Sequence, residues 1–538
     1  MIEDKNTTKN KKKKPVVLMI LDGWGIAPPG RGNAIYLANT PVMDKLWEEY
    51  PHAKVEACGE AVGLQKGKTS GSETAHENIG AGRIVLQDSR RITESIEDGS
   101  FFSNTALLGS VKNLNKNKNS ALHLVGLLSS NNSSHSRQKH LKALLEFAKK
   151  NRVKKVYLHL FTDGRDAPPK SAKQFLRKLS DTIHDIGVGE IATIGGRFYG
   201  MDRSKNWDRL MFAYNAMAFG KGATAKNAFD AVDQAYENGL TDEYITPTVI
   251  VDDRKRPVAT IKDNDSVIFF HLRSDRARQF TKLFVLDSIE GVKRKKTLKN
   301  LFFVAFTNFG PDLPIRTAFA TSPIKNTLPF VLGGLKQLYI AETEKFAHVT
   351  YFFNGGYANP IGSEARIVIQ SKDVKSYKES PEMSSKEIGE VIVGNIKFDV
   401  YDFIVVNLAN LDMVGHTGDI KAAIKAAEHV DHVVNLVVQS VLEKDGTVII
   451  IGDHGNADEM IDVNTGEIMT NHSNNPVPLI MINNLWQGKN EVLKDVHLCD
   501  VAPTIIDLFE IKKPTEMTGQ SVLSMLKNEL TRNNTNKH

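Results

Sequence analysis

Three short apolar runs in this chain end in acidic residues, and two of them also lead to histidine. Val448-Ile449-Ile450-Ile451 leads into Asp453-His454-Gly455, Val16 to Leu21 runs into Asp22-Gly23, and Phe403 to Leu408 runs toward Asp412 and His416. Runs this short and this rich in β-branched residues read as buried strands. In open α/β sheets ligands gather outside the carboxyl ends of the strands. Carboxylates and imidazoles delivered together to such an edge suit divalent metals with oxygen and nitrogen preference, such as Mn or Zn.

A chain of 538 residues is too long for one ordinary domain, and two or three are expected. At 41% apolar and 25% charged it has the composition of a soluble globular protein. No apolar stretch approaches membrane-spanning length. The lysines before Val16 to Leu21 resemble the start of a signal peptide. However, the run is too short and meets Asp22-Gly23-Trp24 without a small-residue cleavage site, so a cytoplasmic protein is expected. Cys58 and Cys499 alone give neither a disulfide framework nor a thiolate metal cluster.

The formal charge of +6 is accounted for by the two ends. Residues 1–14 carry six lysines against Glu3 and Asp4, a net of +4, and residues 527–538 carry Lys527, Arg532 and Lys537 against Glu529, a net of +2. The body between them is formally neutral (6 − 4 − 2 = 0), so the net charge describes two tails and is weak evidence for a nucleic-acid partner. The first tail, rich in Asn, Lys and Thr, reads as a disordered solvated segment.

Strand-like runs alternate with helical patterns almost throughout, which argues an α/β protein with parallel sheets. Ala121 to Leu128, Val156 to Phe161, Ser266 to Phe270 and Leu301 to Phe306 are such runs; His140 to Lys149 and Ile420 to Leu442 read as helices. The acid and histidine edge draws on both ends of the chain, so one domain is expected to interrupt another. The expected division is a metal-binding domain of residues 15–87 and 323–526, an inserted domain of residues 88–322, and tails at 1–14 and 527–538. The seams are read from Gln87-Asp88-Ser89 and Ala320-Thr321-Ser322-Pro323.

Gly71-Ser72-Glu73 opens a helical pattern. Ser72 by itself would serve equally as a helix N-cap or, at a helix N-terminus beside metals, as a phosphoryl-accepting nucleophile. The segment Gly71-Ser72-Glu73-x-x-His76-x-Asn78-Ile79-Gly80-Ala81-Gly82-Arg83 resembles the nucleophile motif of the cofactor-independent (2,3-bisphosphoglycerate-independent) phosphoglycerate mutases. The resemblance recurs in order along nearly the whole chain. It takes in Leu21-Asp22-Gly23-Trp24-Gly25, Asp163-Gly164-Arg165-Asp166, Gly196-Arg197 with Met201-Asp202-Arg203, and Arg273-x-Asp275-Arg276. It continues through Ala341 to Lys345, Asp412 to Gly418, Asp453 to Asp458, and His472 before Asn475-Pro476.

The resemblance implies an alkaline-phosphatase-like metal-binding domain with a second α/β domain inserted into it. It implies two divalent ions, expected to be Mn2+, one held by Asp22, Ser72, Asp453 and His454 and the other by Asp412, His416 and His472. It further implies a substrate site of His135, Arg165, Asp166, Arg197, Arg203, Arg273, Arg276 and Lys345. Ser72 would be the nucleophile and Asp166 the general acid/base, unless Asp166 is only the structural partner of a nearby arginine. Planar guanidinium groups suit both the carboxylate and the phosphate of phosphoglycerate. The implied reaction is the interconversion of 3-phosphoglycerate and 2-phosphoglycerate through phosphoserine, with a small-molecule substrate, no nucleic-acid or membrane partner, and a monomer. His429, His432 and His497 match nothing in the family and read as surface or packing residues.

The chain departs from the family in places. Ser130 to Arg137 stands where Asp-Gly-Gly-Val-His-Ser-His is usual, Gly-Ser-Glu-Thr-Ala-His replaces Asn-Ser-Glu-Val-Gly-His, and His271-Leu272 replaces Asn-Phe. A phosphatase or sulfatase of the same superfamily would share the metal edge without needing arginines to retain glycerate. A binding protein that uses its basic tail would need no intact ligand set.

Overall fold

The computed structural model of the chain describes residues 14–130, 133–320, 323–462, 465–524 and 526. The first tail short of Lys14, Asn131 and Asn132, and the tail 527–538 lie outside these residues. The chain divides into two compact units, residues 1–87 with 322–538 and residues 88–321.

The first unit is built on a seven-stranded sheet in the order Glu364–Ile369, Gln337–Glu342, Phe403–Leu408, Val16–Leu21, Thr447–Gly452, Val477–Ile482, His52–Val55. The three strands that carry the acids lie side by side at its centre and are parallel. All three are buried along their whole length, which is why they read as continuous apolar runs and not as alternating ones. Successive side chains still go to opposite faces. Val17, Met19 and Leu21 join one core cluster and Val16, Leu18 and Ile20 the other. Leu21 is level with Leu408 on one side and Gly452 on the other, so Asp22 and Asp453 leave the sheet at the same height.

The helix Ile420–Leu442 covers one face. Its buried stripe of Ala422, Ala426, Val430, Val433, Val437 and Val441 packs on that core, and the Asp419 side chain accepts from Ala422 N at 3.1 Å to cap its start. The sheet is not wholly parallel. Val477–Ile482 runs antiparallel to both Thr447–Gly452 and His52–Val55. It arrives from a loop without a crossover helix, and a strand that returns that way is antiparallel.

The second unit has an eight-stranded sheet in the order Arg316–Thr317, Phe302–Ala305, Ser266–Phe269, Leu122–Leu128, Val156–Thr162, Glu190–Gly196, Thr248–Ile250, Ala223–Ala225. The first six are parallel, and Thr248–Ile250 pairs antiparallel with Glu190–Gly196. The helices Gln138–Lys150 and Ala172–Ile186 connect its central strands in the βαβ manner. As in the first unit, Asp163 and Arg197 follow the carboxyl ends of neighbouring strands. No helix of the described residues is long and apolar enough to cross a membrane.

Candidate functional site

In the first unit Ser72 is the first residue of the helix Ser72–Ala81, whose N-cap is Gly71; no side chain caps this helix. The capping account of Ser72 therefore fails. Its hydroxyl donates to Asp22 Oδ1 at 3.1 Å and lies 3.0 Å from His454 Nε2. Lys345, on the turn that follows Gln337–Glu342, places its ammonium at 2.7 Å from Ser72 Oγ, 2.9 Å from Asp22 Oδ1 and 2.6 Å from Asp412 Oδ2. Gly23 holds φ at +79°, and a Cβ there would stand 2.6 Å from Asp412 N, so the close approach of the strand end to Asp412 requires glycine.

The histidines share one arrangement. Nδ1 of His472 meets Ser70 O at 2.6 Å, Nδ1 of His416 meets Thr470 O at 2.7 Å, and Nδ1 of His454 meets Gly455 O at 3.3 Å. A proton on Nδ1 of each ring leaves the Nε2 lone pair free, and all three Nε2 atoms face the carboxylates. His416 Nε2 and His472 Nε2 lie 3.2 and 3.1 Å from Asp412 Oδ1 and 3.2 Å from each other. The rings of His454 and His472 stack with centroids 3.8 Å apart.

The titration behaviour follows from burial and crowding. Burial would push the Asp22 carboxyl up, but the Lys345 ammonium holds it down at about 2. Asp412 is likewise held well below the usual carboxylate range, because Lys345 and the hydrogen bonds to His416 and His472 overcome its burial. Asp453 goes the other way. Burial and the adjacent Asp22 carboxylate push it well up. Burial and the neighbouring His472 lower His454 to about 4. Carboxylates outnumber the one buried ammonium, and Asp453 Oδ2 is buried without a hydrogen bond. Inward Nε2 atoms 3.2 Å apart, an orphaned carboxylate oxygen and crowded buried acids are the signature of a cation site, and the carbonyl contacts at Nδ1 are the outer partners that ligating histidines use.

Asp22, Asp453 and His454 form one group with ligand atoms within 4.8 Å of one another, and Asp412, His454 and His472 form another. His454 thus reaches both groups, whereas the resemblance assigned it to one. The donors fit divalent metal. A cavity of about 570 Å3 opens beside His416 and His472, lined also by Thr69 and Glu459.

Reasoning from sequence passed over two members of this cluster. Asn407 donates from Nδ2 to Asp22 Oδ2 at 2.7 Å and touches His76 Nε2 at 3.1 Å. His76, kept neutral by burial and by His348 with its pKa near 3, ties its Nδ1 to Ser72 O at 2.8 Å. Asn407 is the one polar residue in an otherwise apolar strand, a signal that could have found it. His429 and His432 are exposed. His497 caps the turn Leu498–Asp500.

Glu342, at the end of the strand that leads to Lys345, is buried, and burial raises its pKa to about 7 against the Ser371 hydrogen bond. The folded value lies above the ordinary 4.5, so its contribution to stability is present below about pH 4.5 and is lost as pH rises toward 7. Glu342→Gln removes the ionisation. Its unfolding free energy in urea should exceed that of the parent chain at pH 8, by on the order of 3 kcal/mol, and the two should converge near pH 5. A constant difference across that window would assign the effect to packing.

In the second unit, Arg197 Nη1 donates to Asp163 Oδ1 at 2.6 Å and lies 3.2 Å from Asp166 Oδ1. Asp166 is therefore an arginine partner. It also accepts from Ser133 Oγ at 2.8 Å and lies 3.9 Å from His135 Nε2. Its burial is outweighed by Arg197 and Ser133, so its pKa is lowered and it stands as a carboxylate. Burial, then Arg197, lowers His135 to about 4. Asp275 is a hub that was not singled out from sequence: Arg203, Arg273 and Arg276 lie 3.3, 3.4 and 3.8 Å from its oxygens. Arg276 also feels Arg165 and Arg197, so the five arginines form one cationic cluster, with Arg197 buried and Arg165, Arg203 and Arg273 exposed.

Residues 92–311 match the family described as BPG-independent PGAM N-terminus, and residues 304–507 match Type I phosphodiesterase / nucleotide pyrophosphatase. The 2,3-bisphosphoglycerate-independent phosphoglycerate mutase of Clostridium acetobutylicum is 48% identical over 513 residues, which is 95% of this chain and 99% of that protein. This chain belongs to the 2,3-bisphosphoglycerate-independent phosphoglycerate mutases. A Clostridioides difficile member of this mutase family is 46% identical over 515 residues, again 95% and 99% of the two chains. The crystal structure of Leishmania mexicana phosphoglycerate mutase at low cobalt concentration superposes with a TM-score of 0.69 at 28% identity, covering 95% of this chain and 98% of that one. The chain thus has the fold of the family, an alkaline-phosphatase-like α/β domain into which a second α/β domain is inserted.

Proposed function

We propose that the chain interconverts 3-phosphoglycerate and 2-phosphoglycerate without 2,3-bisphosphoglycerate, with Ser72 as the phosphoryl acceptor. The observation that carries this reading is Ser72 Oγ at a helix N-terminus, within 3.1 Å of Lys345, Asp22 and His454 together. Free N–H groups and the helix dipole favour a phosphoryl group there. Asp22, Ser72, Asp453 and His454 would hold one divalent ion and Asp412, His416 and His472 a second, of which Mn2+ suits the mixed oxygen and imidazole donors. Such ions, when bound, lower the pKa of the serine hydroxyl and offset phosphoryl charge.

The chain's own groups do the rest. Ser72 Oγ gives up its proton and forms a bond to phosphorus as the bond from phosphorus to the glycerate oxygen breaks and that oxygen takes up a proton, and the Lys345 ammonium offsets charge on the transferring group. The glycerate carboxylate and hydroxyls are held by Arg165, Arg197, Arg203, Arg273 and Arg276 with His135, so glycerate is not released. Asp166, as a carboxylate, takes the proton from the second hydroxyl, whose oxygen then attacks phosphoserine and frees Ser72. The substrate is a small molecule, and a cytoplasmic monomer is the state in which we place it.

Coupling the purified chain to enolase, with bisphosphoglycerate omitted and free phosphate followed in parallel, tests this reading. Turnover to phosphoenolpyruvate supports it; release of phosphate alone would make the chain a hydrolase. Arg273→Ala should separate the two outputs. Mutase turnover should fall by about 10-fold or more, as expected when a charged contact is lost, while the share of turnover ending in free phosphate rises. If that share is unchanged, Arg273 does not retain glycerate.

A further inference from the structure

The near-neutral body of this chain is the sum of two opposite charges. Residues 88–321 carry 38 Lys and Arg against 25 Asp and Glu, a net of +13, which leaves −13 for the rest of the body, residues 15–87 and 322–526 (0 − 13). The whole-chain count averages these away.

Most of the excess lies on one edge of the second unit. The strands Phe302–Ala305, Ser266–Phe269, Leu122–Leu128 and Val156–Thr162 are consecutive and parallel in its sheet, so the segments before them all meet at the edge opposite Asp163 and Arg197. Those segments are residues 293–300, 262–265, 116–121 and 149–155, and they hold thirteen Lys and Arg against only Asp263 and Asp265. Every one of the thirteen is exposed except the partly buried Arg294. Asp263 is paired with Lys296 at 2.9 Å, and Asp265 is buried against His123. Lys118, Lys154 and Lys295 make no ion pair among the described residues. Lys116, Lys149 and Lys150 sit in the last turns of helices, where cations offset the dipole, and that explains three of the thirteen. Arg294 donates to the carbonyls of Leu283, Leu286 and Asp287 at the end of the helix Arg278–Val285, and nine remain without a structural task of that kind.

The geometry points to a binding surface for double-stranded nucleic acid, contacted through its phosphate backbone. Four strands about 4.8 Å apart spread the edge over roughly 14 Å. A duplex carries one phosphate charge per about 1.7 Å of axis, hence about eight over that span, which the edge's net of +11 (13 − 2) is sufficient to neutralise. Eleven of the thirteen cations are lysines, point charges without the planar fork that reads base edges, so binding is to the backbone and independent of sequence. At its 149–155 end the edge carries a cavity of about 490 Å3, lined by Lys149, Arg152, Lys154 and Lys155 with Glu190 at its side. None of the exposed large hydrophobic residues lies in the four segments, so the surface lacks the apolar side chains with which proteins enter a bilayer.

Fluorescence anisotropy of the full-length protein with labelled 20-base-pair DNA and RNA duplexes, at roughly 50 to 200 mM salt, tests the assignment. The parent chain should bind both, with affinity falling steeply as salt rises. The full-length variant Lys154→Glu, Lys155→Glu, Lys293→Glu, Lys295→Glu should bind at least tenfold more weakly, with a log–log salt slope shallower by about four, and with unchanged mutase turnover. The same four positions changed to Gln should give a smaller loss in the same direction. A full-length variant with Lys11, Lys12 and Lys13 changed to Gln should still bind. The assignment is overturned if the parent chain shows no salt-dependent binding, or if the tail variant loses binding while the edge variant keeps it. It is also overturned if phosphatidylserine vesicles capture the protein and the duplexes do not.

Discussion

Ser72→Ala should lose mutase turnover by at least about 10⁴-fold, the scale on which removal of a covalent nucleophile acts, while the protein stays folded. The fold should survive because the hydroxyl contributes only contacts to Asp22, His454 and Lys345. It caps nothing, and Lys345 keeps its ion pairs with Asp22 and Asp412 when the hydroxyl is gone. Loss of those hydrogen bonds costs on the order of 1 kcal/mol. Two measurements make the result specific. Intact mass after brief exposure to 3-phosphoglycerate should show a phosphorylated fraction in the parent chain and none in Ser72→Ala. Metal content should be followed in the same samples, because Ser72 is also a proposed ligand. A variant that keeps its metal and still cannot be phosphorylated assigns the loss to the missing acceptor. Near-normal turnover without bisphosphoglycerate would refute the phosphoserine route.

The parts of this architecture that were legible in the sequence are those in which burial imposes a local pattern. The strands ending at Leu21, Leu408 and Gly452 are buried on both faces, so they show as unbroken apolar runs. The helix Ile420–Leu442 shows because only one stripe of it is buried. Pairing direction leaves no such trace. Val477–Ile482 is as apolar as its parallel neighbours, and nothing in its composition marks it as antiparallel. The same holds for partners brought together from distant segments. Asp275 gathers Arg203 from 72 residues away, and Asn407 reaches Asp22 across 385. Both lie within segments read for other reasons, one as part of an arginine motif and the other as strand, and only the fold shows what they hold. The distribution of charge is hidden for a related cause. A net value is a sum over the chain, whereas a surface is made by whichever segments the sheet order sets side by side.

Acidification from about pH 8 to 6 should reduce activity reversibly, and excess metal should move the midpoint to lower pH. The resemblance gives His416, His454 and His472 alike as ligands. The structure separates two of them. Burial and His472 hold His454 near 4, so it remains neutral throughout that interval and keeps its Nε2 lone pair for a cation. His416 is raised above the ordinary imidazole value, first by its hydrogen bond to Asp412 and against its partial burial. The sign follows from which form the partner prefers. The Asp412 carboxylate stabilises the His416 imidazolium, so without a cation the proton stays on to higher pH, and a protonated ring cannot ligate. Metal and proton therefore compete at Nε2, 3.2 Å from Asp412 Oδ1, and loading is lost as pH falls through the raised value. His416→Asn should bind metal more weakly at pH 8 but lose less of its remaining metal between pH 8 and 6. Equilibrium dialysis at several metal concentrations and pH values measures this directly, alongside turnover. If the midpoint of activity ignores metal concentration in the parent chain, the titrating group is instead the substrate or a proton-transfer residue such as Asp166, and metal loading is not what acid removes.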